Sequence, residues 1–174
     1  MKNFVFILLF IIPIFSNDCI DYNMSNGTDY NCDCNEESWE SFYSYMLGCW
    51  LPNANLQSAD LKWVNLEGAY MVGADLRYAQ LVTANLTNVN LVNASLVNAN
   101  LTNGNLKDAS LFDADLEDAN LENANLMDAW LWYANLRNAN LRNANLKVTD
   151  LRYATLVSVN LENADLTDAS LFDV

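Results

Sequence analysis

From Leu56 to Leu171 a leucine returns at every fifth residue, with Met71 the one substitution. Two places before each of these stands a small residue, Ala almost throughout, with Val64, Val89, Gly104, Thr149 and Val159 as exceptions. A period of five fits neither common element. On an α-helix each step of five turns the side chain by about 140°, so the leucines would spiral round every face. On a flat strand an odd step sends successive leucines to opposite faces. Within one unit, however, the small residue and the Leu are two apart, and a short extended segment points both the same way. The next two residues, so often Asn, Asp, Gly or Ser, are turn formers. A chain that runs extended, bends and repeats winds into a tube with Leu and Ala inside, and repetition this strict settles the architecture ahead of any propensity argument.

A run such as Ala119-Asn-Leu-Glu-Asn followed by Ala124-Asn-Leu-Met-Asp shows the unit. The pattern Ala-(Asn/Asp)-Leu-x-x resembles the pentapeptide-repeat family across about 120 of the 174 residues. The resemblance implies an all-β fold, a right-handed quadrilateral β-helix with four units per coil and three positions of each unit facing solvent. Twenty-four units from Leu56 to Leu171 then make six coils, a rod ~29 Å tall at ~4.8 Å per coil. Leu56, Leu61, Leu66, Leu76, Leu81, Leu121 and Leu171 are expected on its axis.

Three regions follow: residues 1–16, 17–50 and 51–174. The first reads as an export signal, with Lys2 before the twelve-residue apolar run Phe4 to Phe15 and the small Ser16 at its end. Twelve helical residues span ~18 Å, short of a ~30 Å hydrocarbon core, so cleavage is expected over membrane anchoring. The second region holds Cys19, Cys32, Cys34 and Cys49 and seven acidic side chains with no basic one. An even number of cysteines in a short exported head predicts two disulfides, with three pairings open. A zinc site is disfavoured by the Cys-x-Cys spacing and the absence of histidine. Trp39, Phe42, Tyr43, Met46 and Leu47 fall on one helical face, so a short N-terminal capping helix over about 36–47 is expected, stopped at Gly48 and laid across one end of the tube. At the other end the chain stops in register at Leu171-Phe172-Asp173-Val174. Members of the resembled family dimerise through C-terminal ends, which makes a homodimer through this end an expectation. This chain lacks the extra C-terminal helix some of them carry.

Four units per coil stack residues twenty apart. One outward column runs Val72, Val92, Phe112, Trp132, Arg152 and Phe172, with Tyr70, Trp130, Tyr133 and Tyr153 alongside. An exposed apolar stripe of that extent marks an interaction site for a protein or a glycan; packing against the head, against a second subunit, or simple aromatic laddering along the rod is the plainer alternative. Glu117 is expected over Arg137, and Glu122 over Arg142 over Glu162. Asn85, Asn105, Asn125 and Asn145 share a column suited to an amide ladder. Asp108, Asp128 and Asp168 share another, where calcium would be chemically suitable, yet no loop has the required ligand spacing. No metal or cofactor is expected.

Catalysis finds no support: there is no histidine, no nucleophile beside a base and no phosphate loop. A net charge of −14 repels nucleic acid and anionic membranes. The sequence therefore predicts a secreted or periplasmic, non-enzymatic module that presents rigid faces to a protein or glycan. The alternative, implied by the resemblance, is an acidic DNA mimic that binds a topoisomerase such as DNA gyrase, provided the chain stays in the cytoplasm.

Overall fold

A computed structural model describes residues 46–174. The leader, Cys19, Cys32, Cys34 and most of the expected capping helix lie outside the described residues. What is described is a four-sided solenoid with twenty residues per coil. Isolated parallel bridges join each residue before a Leu to its counterpart one coil on, from Trp50–Tyr70 to Asp150–Ser170.

The places of a unit can be numbered from the small residue, as in Ala54-Asn55-Leu56-Gln57-Ser58. The Leu carbonyl accepts the N–H of the next small residue, as in Ala59 N–Leu56 O at 3.0 Å. This closes a four-residue turn. Its third residue, the fifth place of the unit, has positive φ in every unit from Gly48 (66°) to Asp173 (53°). That is the type II pattern, which explains the Asn, Asp and Gly found there.

Hydrogen bonds between coils take the other backbone groups in a fixed order. Leu56 N donates to Asp75 O at 2.7 Å, Ser58 N to Arg77 O at 2.8 Å, and Asp75 N to Ala54 O at 2.9 Å. Only the N–H of the fourth place is left over. The second-place Asn or Asp supplies its acceptor two residues back, as in Gln57 N–Asn55 Oδ1 at 3.2 Å and Glu122 N–Asn120 Oδ1 at 3.1 Å. The Asn/Asp of the motif is therefore the side chain that completes the backbone's hydrogen bonding.

Leu and Ala of the middle coils are wholly buried; Leu66, Leu76, Leu81 and Leu121 expose nothing, and Leu56 is buried. Thr149, the one buried polar residue described, donates from Oγ1 to Leu126 O at 2.8 Å. Two corrections apply at the ends. Leu61, in the first coil, is only partly buried, and Leu171 is 46% exposed because no further coil stacks on it. At the start, Met46 and Leu47 are not helical. Met46 N donates to Asn65 O, Gly48 N to Glu67 O, and Met46 packs on the core in a Leu place. Gly48 is the positive-φ turn residue of that unit, not a helix stop, and Cys49 fills a small-residue place. The coil thus begins two units before Leu56, where the motif becomes legible.

Candidate functional site

The side carrying Leu51, Met71, Leu91, Leu111, Leu131, Leu151 and Leu171 differs from the rest in what stands at its outward places. Its fourth-place column is Pro52, Val72, Val92, Phe112, Trp132, Arg152 and Phe172. Val72, Val92, Phe112 and Trp132 are half-buried, and Phe172 is exposed. Its fifth-place column ends in Asp113, Tyr133, Tyr153 and Asp173, all exposed.

Five rings form one connected cluster at this corner. Trp132 stacks on Tyr133 with centroids 5.4 Å apart, and Tyr133 on Tyr153 at 5.0 Å, both within 15° of parallel. Phe112 meets Trp132 and Tyr133 edge-on at 5.8 and 5.9 Å, and Phe172 meets Tyr153 edge-on at 5.7 Å. The twenty-residue coil causes this contact, because it lays residues of successive coils at strand spacing. Val72 and Val92 extend the column without joining the rings. Trp130, 65% exposed in the second-place column, stands beside the cluster and shares no ring contact among the described residues.

Arg152 interrupts the apolar column in sequence but not in space. Its guanidinium lies 5.0 Å over the Trp132 ring. Asp150 holds it bidentately, Nε to Oδ1 at 2.8 Å and Nη2 to Oδ2 at 2.6 Å. These hydrogen bonds from Arg152 hold the Asp150 carboxyl below the usual carboxylate range.

Sequence reasoning missed Trp50, which stacks on Tyr70 at 4.0 Å and 5° and is exposed. Counting back twenty from Tyr70 was the signal that could have found it.

The aromatic residues occupy places where the coil has reason to want something else. Tyr133 and Tyr153 hold φ of 61° and 60°, the left-handed region that costs an L-residue with a bulky side chain about 1 kcal/mol. Trp130 stands where Asn or Asp elsewhere takes the fourth-place N–H. Trp132 Nε1 is buried without a hydrogen-bond partner among the described residues, a cost of about 1–3 kcal/mol. Ring–ring contacts return about 0.5–1.5 kcal/mol each. The coil itself does not call for these residues.

The remaining sides are mostly polar, with Trp63, Tyr78, Val148 and Val157 singly exposed on them. The expected amide ladder forms in two segments: Asn85 donates to Asn65 at 3.0 Å, Asn125 to Asn105 at 2.9 Å and Asn145 to Asn125 at 2.9 Å. Between Asn85 and Asn105 the Thr87 hydroxyl intervenes, accepting from Asn105 at 2.7 Å and donating to Asn85 at 2.6 Å. Arg142 bridges Glu122 at 3.7 Å and Glu162 at 3.5 Å as the column requires. Glu117 and Arg137 do not pair; Glu117 Oε2 instead accepts from Asn135 Nδ2 at 3.4 Å. Asp108, of the acidic column, pairs with Lys107 at 3.5 Å. Among the described residues no three His, Cys, Asp or Glu side chains converge on a metal-sized site.

The family model described as pentapeptide repeats matches in overlapping copies at residues 54–91, 79–118, 90–128, 119–155 and 131–168. No curated protein matches the sequence. Among solved structures, the chain is similar to a trypsin-treated form of QnrB1, a plasmid-mediated fluoroquinolone resistance protein. That match has 15% identity and TM-score 0.46, over 71% of this chain and 67% of that one. Rfr23, a pentapeptide repeat protein of the cyanobacterium Cyanothece 51142, is 28% identical with TM-score 0.37, over 78% and 95% of the two chains. HetL of Nostoc sp. strain PCC 7120, involved in heterocyst differentiation regulation, is 26% identical with TM-score 0.24, over 75% and 86%.

Proposed function

The chain belongs to the pentapeptide-repeat family, and from that premise we propose that it is an exported, non-enzymatic interaction module whose aromatic side binds a macromolecular partner. One observation carries the reading. Trp130, Tyr133 and Tyr153 are exposed on one side at places where the coil prefers Asn or Asp, and Tyr133 and Tyr153 stack within the five-ring cluster. Trp63 and Tyr78, exposed at fifth places of other sides, enter no ring contact among the described residues. Exposed aromatic clusters of this kind are the usual anchors of protein interfaces. Export rests on the leader Lys2 to Ser16 and on the four cysteines, for which we propose two disulfides.

A photo-crosslinking residue at Trp130 tests the face, with one at Asn123 on another side as control. Adducts formed only from position 130, in the compartment where the protein resides, support it; equal or absent adducts from both overturn it. Intact mass tests export. A chain beginning near Asn17, with four protons fewer than its reduced form, supports it. A full-length reduced chain inside the cell overturns it.

That second result would favour an acidic mimic of DNA that binds a topoisomerase. Charge is the feature behind that alternative, and the rod carries just over half of it. Residues 46–174 hold fifteen acidic and seven basic side chains, a net −8 of the chain's −14. Six of the seven cations are ion-paired: Lys62, Arg77, Lys107, Arg142, Lys147 and Arg152.

A further inference from the structure

The way the aromatic corner holds its own Arg152 indicates what else it can hold. A guanidinium there rests on an indole face and is clamped by a carboxylate two residues earlier in the chain. A second indole and further carboxylates lie near it in the chain. Trp130 is 65% exposed with no ring against it among the described residues, and Asp128 precedes it by two residues. Further along the corner, Asp113 and Asp173 bracket the stacked Tyr133 and Tyr153 in one column. Neither Asp113, Asp128 nor Asp173 enters an ion pair among the described residues. The corner's one cation, Arg152, is already neutralised by Asp150. What remains is an apolar surface with a negative rim.

Charge separates the two classes of partner that such a face could serve. A neutral sugar ring packs its C–H groups on an aromatic face and brings no charge to meet Asp113, Asp128 and Asp173. Trp132 and Tyr153 both stack on Tyr133 with their own centroids 6.2 Å apart, so they do not sandwich it. Apolar rings suit aliphatic stems, and an indole that already carries a guanidinium held by a carboxylate suits a further guanidinium or ammonium group nearby.

Resting on the proposed role of this side as an interaction face, we infer that its occupant is a basic protein segment in which Arg or Lys alternates with apolar residues. One cation of that segment sits over Trp130 against Asp128. A second lies along the tyrosine rings between Asp113 and Asp173. Its apolar residues meet Phe112, Trp132 and Phe172.

The test titrates the full mature chain with a twelve-residue peptide of alternating Arg and Leu, followed by tryptophan fluorescence. The controls are the same peptide with Gln for Arg and a neutral chitin hexasaccharide. The double variant Trp130→Asn/Tyr133→Asn installs the residues those places prefer, so its melting temperature should hold while affinity for the Arg peptide falls about tenfold or more. Asp113→Asn/Asp128→Asn should weaken binding and flatten its salt dependence. Neither control should bind. If the Arg peptide binds the Trp130→Asn/Tyr133→Asn variant as well as the wild type, the attraction is charge alone and the inference fails. If the Arg peptide does not bind, or the hexasaccharide binds and is lost in that variant, a basic segment is the wrong occupant. Crosslinking from position 130 would in that case still support the face itself.

Discussion

Two columns of this solenoid share a backbone and differ in what they are for. On one side Asn65, Asn85, Asn105, Asn125 and Asn145 each take a fourth-place N–H, and most pass an amide hydrogen bond to the next coil. On another, Trp50, Tyr70 and Trp130 hold equivalent places and supply no such acceptor, while Asn90 and Asp150 of that same column still do. In the first column the side chain finishes what the backbone leaves open. At the aromatic places of the second the backbone tolerates a side chain that does nothing for it. In a repeat protein the departures from the favoured residue are therefore more informative about function than the repeat itself.

Substitutions in the core and in each column separate what the two sides contribute. Both columns hang on one core, so Leu121→Asp, which buries an unpaired charge at a wholly enclosed place, should cost more than about 4 kcal/mol and melt the two sides together. An unchanged denaturation curve would refute the register. Next in size, Asn125→Leu removes its amide bonds to Asn105 and Asn145 and the acceptor for Met127 N–H. It should cost about 1–2 kcal/mol by chemical denaturation. Trp130→Asn should carry the opposite sign, stabilising by about 0.5–1 kcal/mol as the missing acceptor is restored. If both lower stability alike, the distinction between the columns is lost.

Acid should produce the smallest effect. Hydrogen bonds from Thr167, and after it Lys147, lower the Asp165 carboxyl to about 2, and Arg77 and Arg152 lower Asp75 and Asp150. A carboxyl lowered on folding contributes stability that is complete above its ordinary value near 3.8 and lost as pH falls toward the folded value. Melting temperatures should therefore be flat from pH 7 to 5 and decline slightly between 4 and 2, and Asp165→Asn should shrink that decline. A drop centred near neutrality would contradict the assignment.

The leucine period dictates a coil with Leu and Ala inside, because nothing else buries a five-residue repeat; its four sides and the stacking of residues twenty apart come from the resemblance to the pentapeptide-repeat family. That spacing also places Phe112, Trp132, Tyr133, Tyr153 and Phe172 together. Ring orientation was not legible, since which faces stay open depends on side-chain packing. Nor was the reason for Asn at the second place, which appears only when every backbone N–H is accounted for. The ends misled. Met46-Leu47-Gly48 has a helical pattern locally, and only the ladder to Asn65 and Glu67 draws it into the coil. Leu171 matches the motif as well as Leu121 does, but burial needs a neighbour on both sides along the axis. Glu117 and Arg137 share a column, yet Asn135 reaches the carboxylate.

The constant twenty-residue offset between bonded partners also limits how such a gene can grow. Duplicating four units adds one storey and leaves every column in phase. Duplicating a single unit turns everything beyond it by a quarter revolution, and if it fell between Tyr133 and Tyr153 it would swing Tyr153 and Phe172 onto the adjacent wall. The solenoid could accept either change, since each unit still finds a coil beneath it. The patch could accept only the first. A rod of this kind is free in its length and tied in its phase, and only what is written across several storeys keeps that phase.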